Sequence, residues 1–196
     1  MQEIRVKGAS ITGWLQAVDT LYEARSQDAV IAAADPELRE AWAKGAIIRA
    51  VWYPIRWIRE LYAATKIVLP REAALPTKLG RETTRVDMEG PLLRWLMQLA
   101  GPDLIARYAA RALAGYFQGV VLTFERTPGQ LSFRLREMYG MNRPQWEELL
   151  GGMAYILQVS ARATVRSAIV DGGEGATAEL SLRWNDRPPI VTSVSG

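Results

Sequence analysis

Three sets of neighbouring carboxylates are the clearest candidates for acid–base chemistry: Glu147-Glu148, Asp87 with Glu89, and Glu37 with Glu40. Two carboxyls held together can share a proton, and burial of one raises it toward the range of a general acid. Each set falls on a helix face that the apolar pattern predicts to be wet, so no raised carboxyl is expected and the chain reads as no enzyme. Gly172-Gly173-Glu174-Gly175 has the composition of a phosphate cradle. It joins two predicted strands and leads into no helix, so the dipole and N–H cluster of such a loop are missing, and it reads as a hairpin turn. Gly151-Gly152 lies inside a predicted helix, where each glycine costs about 1 kcal/mol relative to alanine. The pair marks a close backbone contact, between helices or between protomers.

The residue types that are missing exclude more. The 196 residues contain no Cys and no His. Without Cys there is no disulfide framework, thiol nucleophile or thiolate metal site. Without His there is no Ser-His relay, imidazole metal ligand or proximal-His haem. No cofactor is expected. With 24 Lys+Arg against 21 Asp+Glu the net charge is +3, and the cations are mixed with acids, as in Arg81-Glu82-Thr83-Thr84-Arg85. Nucleic-acid affinity grows with the number of phosphates neutralised together, so no nucleic-acid partner is expected. The start, Met1-Gln2-Glu3-Ile4-Arg5-Val6, has no apolar signal region, and the stretch from Leu92 to Ala106 is broken by Arg94, Gln98 and Gly101-Pro102-Asp103. No secretory signal or membrane span is read, and a cytoplasmic location is expected.

That leaves aromatic side chains. Trp52, Tyr53, Trp57 and Tyr62 form the densest group, with Trp95, Tyr108 and Tyr116 following. Ligand pockets are lined by such rings with a few polar groups. Rings at helical spacing are ordinarily core residues, so both readings stand. Arg56 and Arg59 flank Trp57 and are either anchors for an anionic head group or solvated helix-face arginines.

The elements that must position these residues divide the chain in two. A helical half covers about 1–118 and a sheet half about 119–184, one domain of ordinary composition with 49% apolar residues, followed by a loose tail at 185–196. Gly13–Arg25 places Trp14, Leu15, Val18, Leu21 and Tyr22 on one helical stripe. Asp35-Pro36 is a capped helix start leading to Leu38, Ala41 and Trp42, with Gly45 as terminator. Pro54 opens a helix with Ile55, Ile58, Leu61 and Tyr62 inside. A third helical region runs from about Thr77 to Leu99, bent or divided at Gly90-Pro91. Pro102 restarts a helix with Leu104, Ile105, Tyr108, Ala112 and Leu113 on one face.

At Gly119 the period changes from 3.6 to 2. Val120, Leu122 and Phe124 alternate with Val121, Thr123 and Glu125 and, after Thr127-Pro128-Gly129, Leu131, Phe133 and Leu135 alternate with Ser132, Arg134 and Arg136. A helix starting at Thr127-Pro128 is the rival reading. Pro144–Ser160 is helical, with Trp146, Leu149, Leu150, Met153, Ile156 and Leu157 as its stripe. Arg162–Val170 and Ala176–Trp184 are the last strands. The fold class is α+β: a helical half, then β-β-α-β-β in a four-stranded antiparallel sheet.

Several strings in that order resemble a bacterial paralogous family frequent in myxobacteria. They are Val6-Lys7-Gly8, Trp52-Tyr53-Pro54, Gly101-Pro102-Asp103-Leu104, Thr127-Pro128-Gly129, and Gly172-Gly173-Glu174-Gly175-Ala176 through Leu182-Arg183-Trp184. Members of that family are similar to 4-vinyl-reductase-type and H-NOX-like small-ligand-binding domains, relatives of the Bet3-type subunits of vesicle-tethering complexes. The resemblance covers most of residues 5–184 and implies helices enclosing a cavity against the sheet. Haem-binding H-NOX domains hold iron through a His, and 4-vinyl-reductase-type domains often carry Cys in the final hairpin. The matching stretch here is Gly175-Ala176-Thr177-Ala178, so the resemblance implies the scaffold without the iron or thiol equipment. Two functions follow as expectations. One is a non-catalytic sensor or binding module for an apolar or amphipathic organic ligand, lined by the seven aromatic residues above. The alternative is a structural or adaptor module, dimeric, with its pocket filled by side chains.

Overall fold

The first helix begins without a capping side chain, and a loop supplies what its N-terminus lacks. In the computed structural model, which describes residues 3–22, 26–88 and 102–185, helix α1 spans Gly8–Leu21. The Gly8 N–H donates to the Val51 carbonyl at 2.9 Å and the Ala9 N–H to the Arg49 carbonyl at 3.0 Å, so loop carbonyls satisfy orphan donors. A Cβ on Gly8 would lie 2.2 Å from the Ile48 carbonyl oxygen, which only glycine avoids. The same loop ends in β2 (Trp52–Pro54), which pairs antiparallel with β1 (Arg5–Lys7), Val6 facing Tyr53. These strands correct the reading of the first half as all helix. Three residues are too few for a period-2 pattern to register, and Pro54 closes a strand rather than opening a helix.

Helix α2 (Ser26–Ala33) precedes α3 (Pro36–Ala43), whose Asp35 carboxylate accepts the Glu37 N–H at 2.8 Å. Gly45 at φ +61° ends that turn as expected. Helices α4 (Arg56–Val68) and α5 (Leu75–Asp87) follow. The expected continuation from 89 to 99 lies outside the described residues, as does 186–196, expected as a tail. Trp14, Leu15 and Val18 of α1 and Ile58, Leu61 and Tyr62 of α4 are buried together, while Leu21, expected inside, is exposed.

Helix α6 (Pro102–Tyr116) departs further from expectation. Ile105 and Leu113 point inward, but Leu104, Tyr108 and Ala112 face outward, Tyr108 at 57% exposure. The helix buries the narrower stripe of Ile105, Ala106 and Leu113, so the apolar residues outside it stay uncovered.

Beyond Gly119 the expected sheet is present. Strands β3 (Val121–Thr127), β4 (Gln130–Arg136), β5 (Val165–Gly172) and β6 (Ala178–Trp184) stand in the order β3-β4-β6-β5, each neighbouring pair antiparallel. Thr127 pairs with Gln130 across a turn in which Gly129 has φ +69°, which excludes the rival helix start. Leu131, Phe133 and Leu135 of β4 and Ala178, Leu180, Leu182 and Trp184 of β6 form the buried inner face. Strand β5 starts three residues later than expected, because Arg162 adopts φ 50° and caps the preceding helix.

That helix, α7 (Arg143–Ala161), opens with a capping box. Asn142 accepts the Gln145 N–H, and the Gln145 side chain accepts the Asn142 N–H at 2.9 Å. It packs against both β5 and α5. A Cβ on Gly151 would meet the Thr77 carbonyl oxygen at 2.4 Å, one on Gly152 Thr84 Oγ1 at 2.5 Å, and one on Gly80 the Glu148 carbonyl oxygen at 1.8 Å. The glycine pair is therefore a helix–helix contact within the chain, matched by a glycine on α5.

Candidate functional site

The tightest polar constellation joins α1, α4 and α7. Tyr62 on α4 donates its hydroxyl proton to Glu148 Oε2 on α7 at 2.7 Å. Trp14 on α1 meets the Tyr62 ring edge-on, 5.3 Å between centroids at 83°, and its buried indole N–H acts on the Tyr62 oxygen. Glu148 is half-buried, with protein crowded round its carboxyl. Burial pushes that carboxyl up to about 7, against the opposing pull of the Tyr62 hydrogen bond. Burial first, and then the negative neighbour Glu148, hold the Tyr62 phenol well above its usual range.

Glu148 corrects the expectation that all paired carboxylates are wet. Its neighbour Glu147 does face outward, held by Arg143 at 3.0 Å, and Glu37 and Glu40 pair with Arg56 and Lys44. The difference arises from α5, which Gly80 allows close against the α7 backbone at Glu148. The sequence did carry a signal: Glu148, Gly151 and Gly152 are spaced i, i+3, i+4 and so share one helix face.

The aromatic candidates separate into several places. Tyr53 and Trp57 stack, 5.0 Å apart at 23°. The Tyr53 hydroxyl donates to the Ala46 carbonyl at 2.7 Å and accepts the Ile48 N–H at 2.9 Å. Trp52 lies under the Lys7 ammonium, 4.3 Å from its ring centre. Tyr62 belongs to the Glu148 constellation, and Tyr108 stands on the outer side of α6. Tyr116 donates to Asp87 at 2.8 Å, and burial followed by that bond pushes its phenol up to about 12. Trp95 lies outside the described residues. Of the six that are among the described residues, only Tyr53 and Trp57 are brought into ring contact with each other. The candidate head-group anchors are both engaged: Arg56 pairs with Glu37 at 3.0 Å, while Arg59 donates to the Gly140 carbonyl at 2.7 Å and pairs with Glu3 at 3.1 Å.

Two further features border the sheet. On its outer face, Arg134, Arg136, Asp171, Thr177 and Glu179 line an open polar cleft, with Arg134 paired to Glu179 at 2.9 Å across it. On the inner face, coverage fails at the edge strand. Phe124 lies beside buried Phe133, 6.2 Å between ring centres, yet keeps 37% of its surface. Sequence alternation marked Phe124 as inward without showing that its cover is incomplete. Among the described residues no cluster of three or more carboxylates is placed to hold a metal ion, and no helix is long and apolar enough to cross a membrane. The Gly172–Gly175 segment joins β5 to β6 as a hairpin, and a Cβ on Gly172, at φ +65°, would lie 2.5 Å from the Thr177 carbonyl oxygen.

No protein-family model matches the sequence, and no curated protein matches it. Solved structures do. The Fe(II) unliganded H-NOX protein from K. algicida superposes with a TM-score of 0.64 at 14% identity, covering 92% of this chain and 97% of that one. An H-NOX protein from S. oneidensis gives 0.63 at 11% identity over the same shares. An oxygen-binding H-NOX domain related to soluble guanylate cyclases gives 0.58 at 13% identity, covering 91% and 94%. The fold is H-NOX-like, as the order of elements led one to expect.

Proposed function

We propose that this chain is a haem-free sensor or binding module on an H-NOX-like scaffold. It works in the cytoplasm, catalyses no reaction, and seats a small apolar or amphipathic organic molecule against the open margin of its sheet. The observation that carries the reading is Phe124, an inner-face ring left 37% exposed where a covered core residue is expected. An apolar margin that opens to water suits a greasy ligand, since such sites are largely apolar with few polar groups. The fold's neighbours, one of them an oxygen-binding domain, support a sensing role. Local strings similar to the myxobacterial family and to the 4-vinyl-reductase-type and Bet3-type domains support it too. The seat lies beside the sheet because Trp57 and Tyr62 are buried in the core and Tyr53 is already bonded within the fold.

Haem does not fit the donors of this chain. Iron is held in such sites by imidazole or thiolate, by thioether paired with imidazole, or by phenolate. The sequence has no His and no Cys. Tyr62 and Tyr116 are committed to Glu148 and Asp87, and both phenols are pushed away from ionisation.

A second reading, an adaptor that pairs with another chain or a second copy of itself, draws on Leu104 and Tyr108. These α6 residues are 47% and 57% exposed, apolar surface that a protein partner would cover. Titration with 1-anilinonaphthalene-8-sulfonate, with haemin in a parallel cell, separates the readings. A saturable 1:1 site for the dye, weakened at least tenfold by Phe124→Asp, with no Soret complex, is expected. A stoichiometric haemin complex overturns the haem-free reading. No dye site, together with a dimer dissolved by Tyr108→Asp, replaces it with the adaptor.

A further inference from the structure

A chain without His or Cys has no side chain that ordinarily titrates between about pH 5.5 and 8. The Glu148 constellation changes that, and the proposed ligand seat makes no use of it. We propose that Glu148, Tyr62 and Trp14 form a proton-operated catch, which holds α4 and α1 against α7 while the carboxyl is protonated and loosens them when it ionises.

The argument starts from what surrounds the carboxyl. From α4 comes the Tyr62 hydroxyl, 2.7 Å away. From α1 comes Trp14, edge-on to Tyr62, with a buried indole N–H that acts on the Tyr62 oxygen. From α5 comes the backbone at Gly80, while the charged side chains of that helix are paired elsewhere: Lys78 with Glu72, Arg81 with Gln158, and Glu82 with Arg85. On α7 itself stands Glu147, held by Arg143 and carrying charge of the same sign. Among the described residues no ion pair reaches Glu148, and the influences on its carboxyl are burial and the one hydroxyl.

A carboxyl crowded by protein, with one hydrogen bond and no cation beside it, is favoured neutral over charged. The value of about 7 to which burial raises it puts the change within the physiological range. When the charge appears, α7 cannot retreat toward α5, because its backbone at Glu148 already rests on Gly80. The side chain that meets the carboxyl is Tyr62 of α4. Movement there alters the Tyr62–Trp14 contact, so a single proton is read out on the first helix. The Trp14 N–H acts on the oxygen of the same Tyr62 hydroxyl that meets the carboxyl, so the charge on Glu148 reaches the indole through Tyr62.

The test follows two resonances of the full chain by NMR from pH 5 to 8.5: the Glu148 carboxyl carbon and the Trp14 indole N–H. Both are expected to move together in one single-proton step with a midpoint between about pH 6 and 8. Glu148→Gln removes the Trp14 step. Tyr62→Phe moves the carboxyl midpoint upward, because the lost hydroxyl favoured the charged form. A carboxyl that titrates below pH 5.5, a Trp14 resonance that stays flat while Glu148 titrates, or a step that survives Glu148→Gln overturns the proposal. Should Glu148→Gln fail to fold, the wild-type midpoint and the direction of the Tyr62→Phe shift decide.

Discussion

Gly80 approaches Glu148 so closely that a Cβ on the glycine would sit 1.8 Å from the glutamate's carbonyl oxygen. This contact sets the distance between α5 and α7, and through it the burial of a carboxyl that faces α4. The helical half and the sheet half are joined at α7, which touches α5 on one side and β5 on the other.

Gly80→Ala should therefore destabilise the fold by about 1–3 kcal/mol or more, despite alanine's better helix propensity, because backbone stands where the methyl would go. Gly115→Ala is the control: nothing lies within 4 Å of its Cβ, so it should gain up to about 1 kcal/mol. Urea unfolding of the two variants beside the wild type measures both signs.

Stability should fall as pH rises. The Glu148 carboxyl is raised from 4.5 to about 7 in the folded chain, so between those values the folded state holds a proton that the unfolded state has lost. Its contribution is full below about 4.5 and lost by about 7, a change of about 3 kcal/mol. Denaturant midpoints at pH 5 and pH 8 should differ in that direction, and Glu148→Gln should remove most of the difference.

Asn142→Ala should cost about 1 kcal/mol, since it removes the side-chain acceptor of the α7 capping box. Gln145→Ala should cost more, because its Nε2 also donates to the Ile55 carbonyl at 3.3 Å and so ties α7 to the entry of α4. Thermal unfolding of the pair gives the order.

Phe124→Asp should leave the fold intact while abolishing apolar-probe binding, because the ring already keeps 37% of its surface and its replacement buries no new charge. An unchanged circular dichroism spectrum with lost dye affinity is the expected pairing.

Much of this fold was legible because its signals are local. The change of period at Gly119, the turn at Thr127-Pro128-Gly129, the Asp35 cap and the alternation from Ala178 to Trp184 depend on residues a few positions apart. The strands Arg5–Lys7 and Trp52–Pro54 were missed because each is three residues long and they meet across 44 intervening positions. Tyr108 was placed inside because helical spacing assigns a face without saying how wide a stripe the neighbours cover. Glu148 was misjudged for a related reason. Adjacent glutamates point in different directions on a helix, and only the glycines three and four residues later indicated which of the two would be enclosed. Periodicity could not show that the hydrogen-bond partners of the aromatic candidates lie in separate parts of the fold.

The account as a whole turns on whether a haem-free H-NOX-like chain carries an organic passenger. Native mass spectrometry of the protein purified from its own host, beside Phe124→Asp prepared identically, measures this directly. The account predicts one small organic adduct per chain that is lost in the variant, with no mass corresponding to haem. A haem-bearing chain, or a bare chain in both preparations, would contradict it.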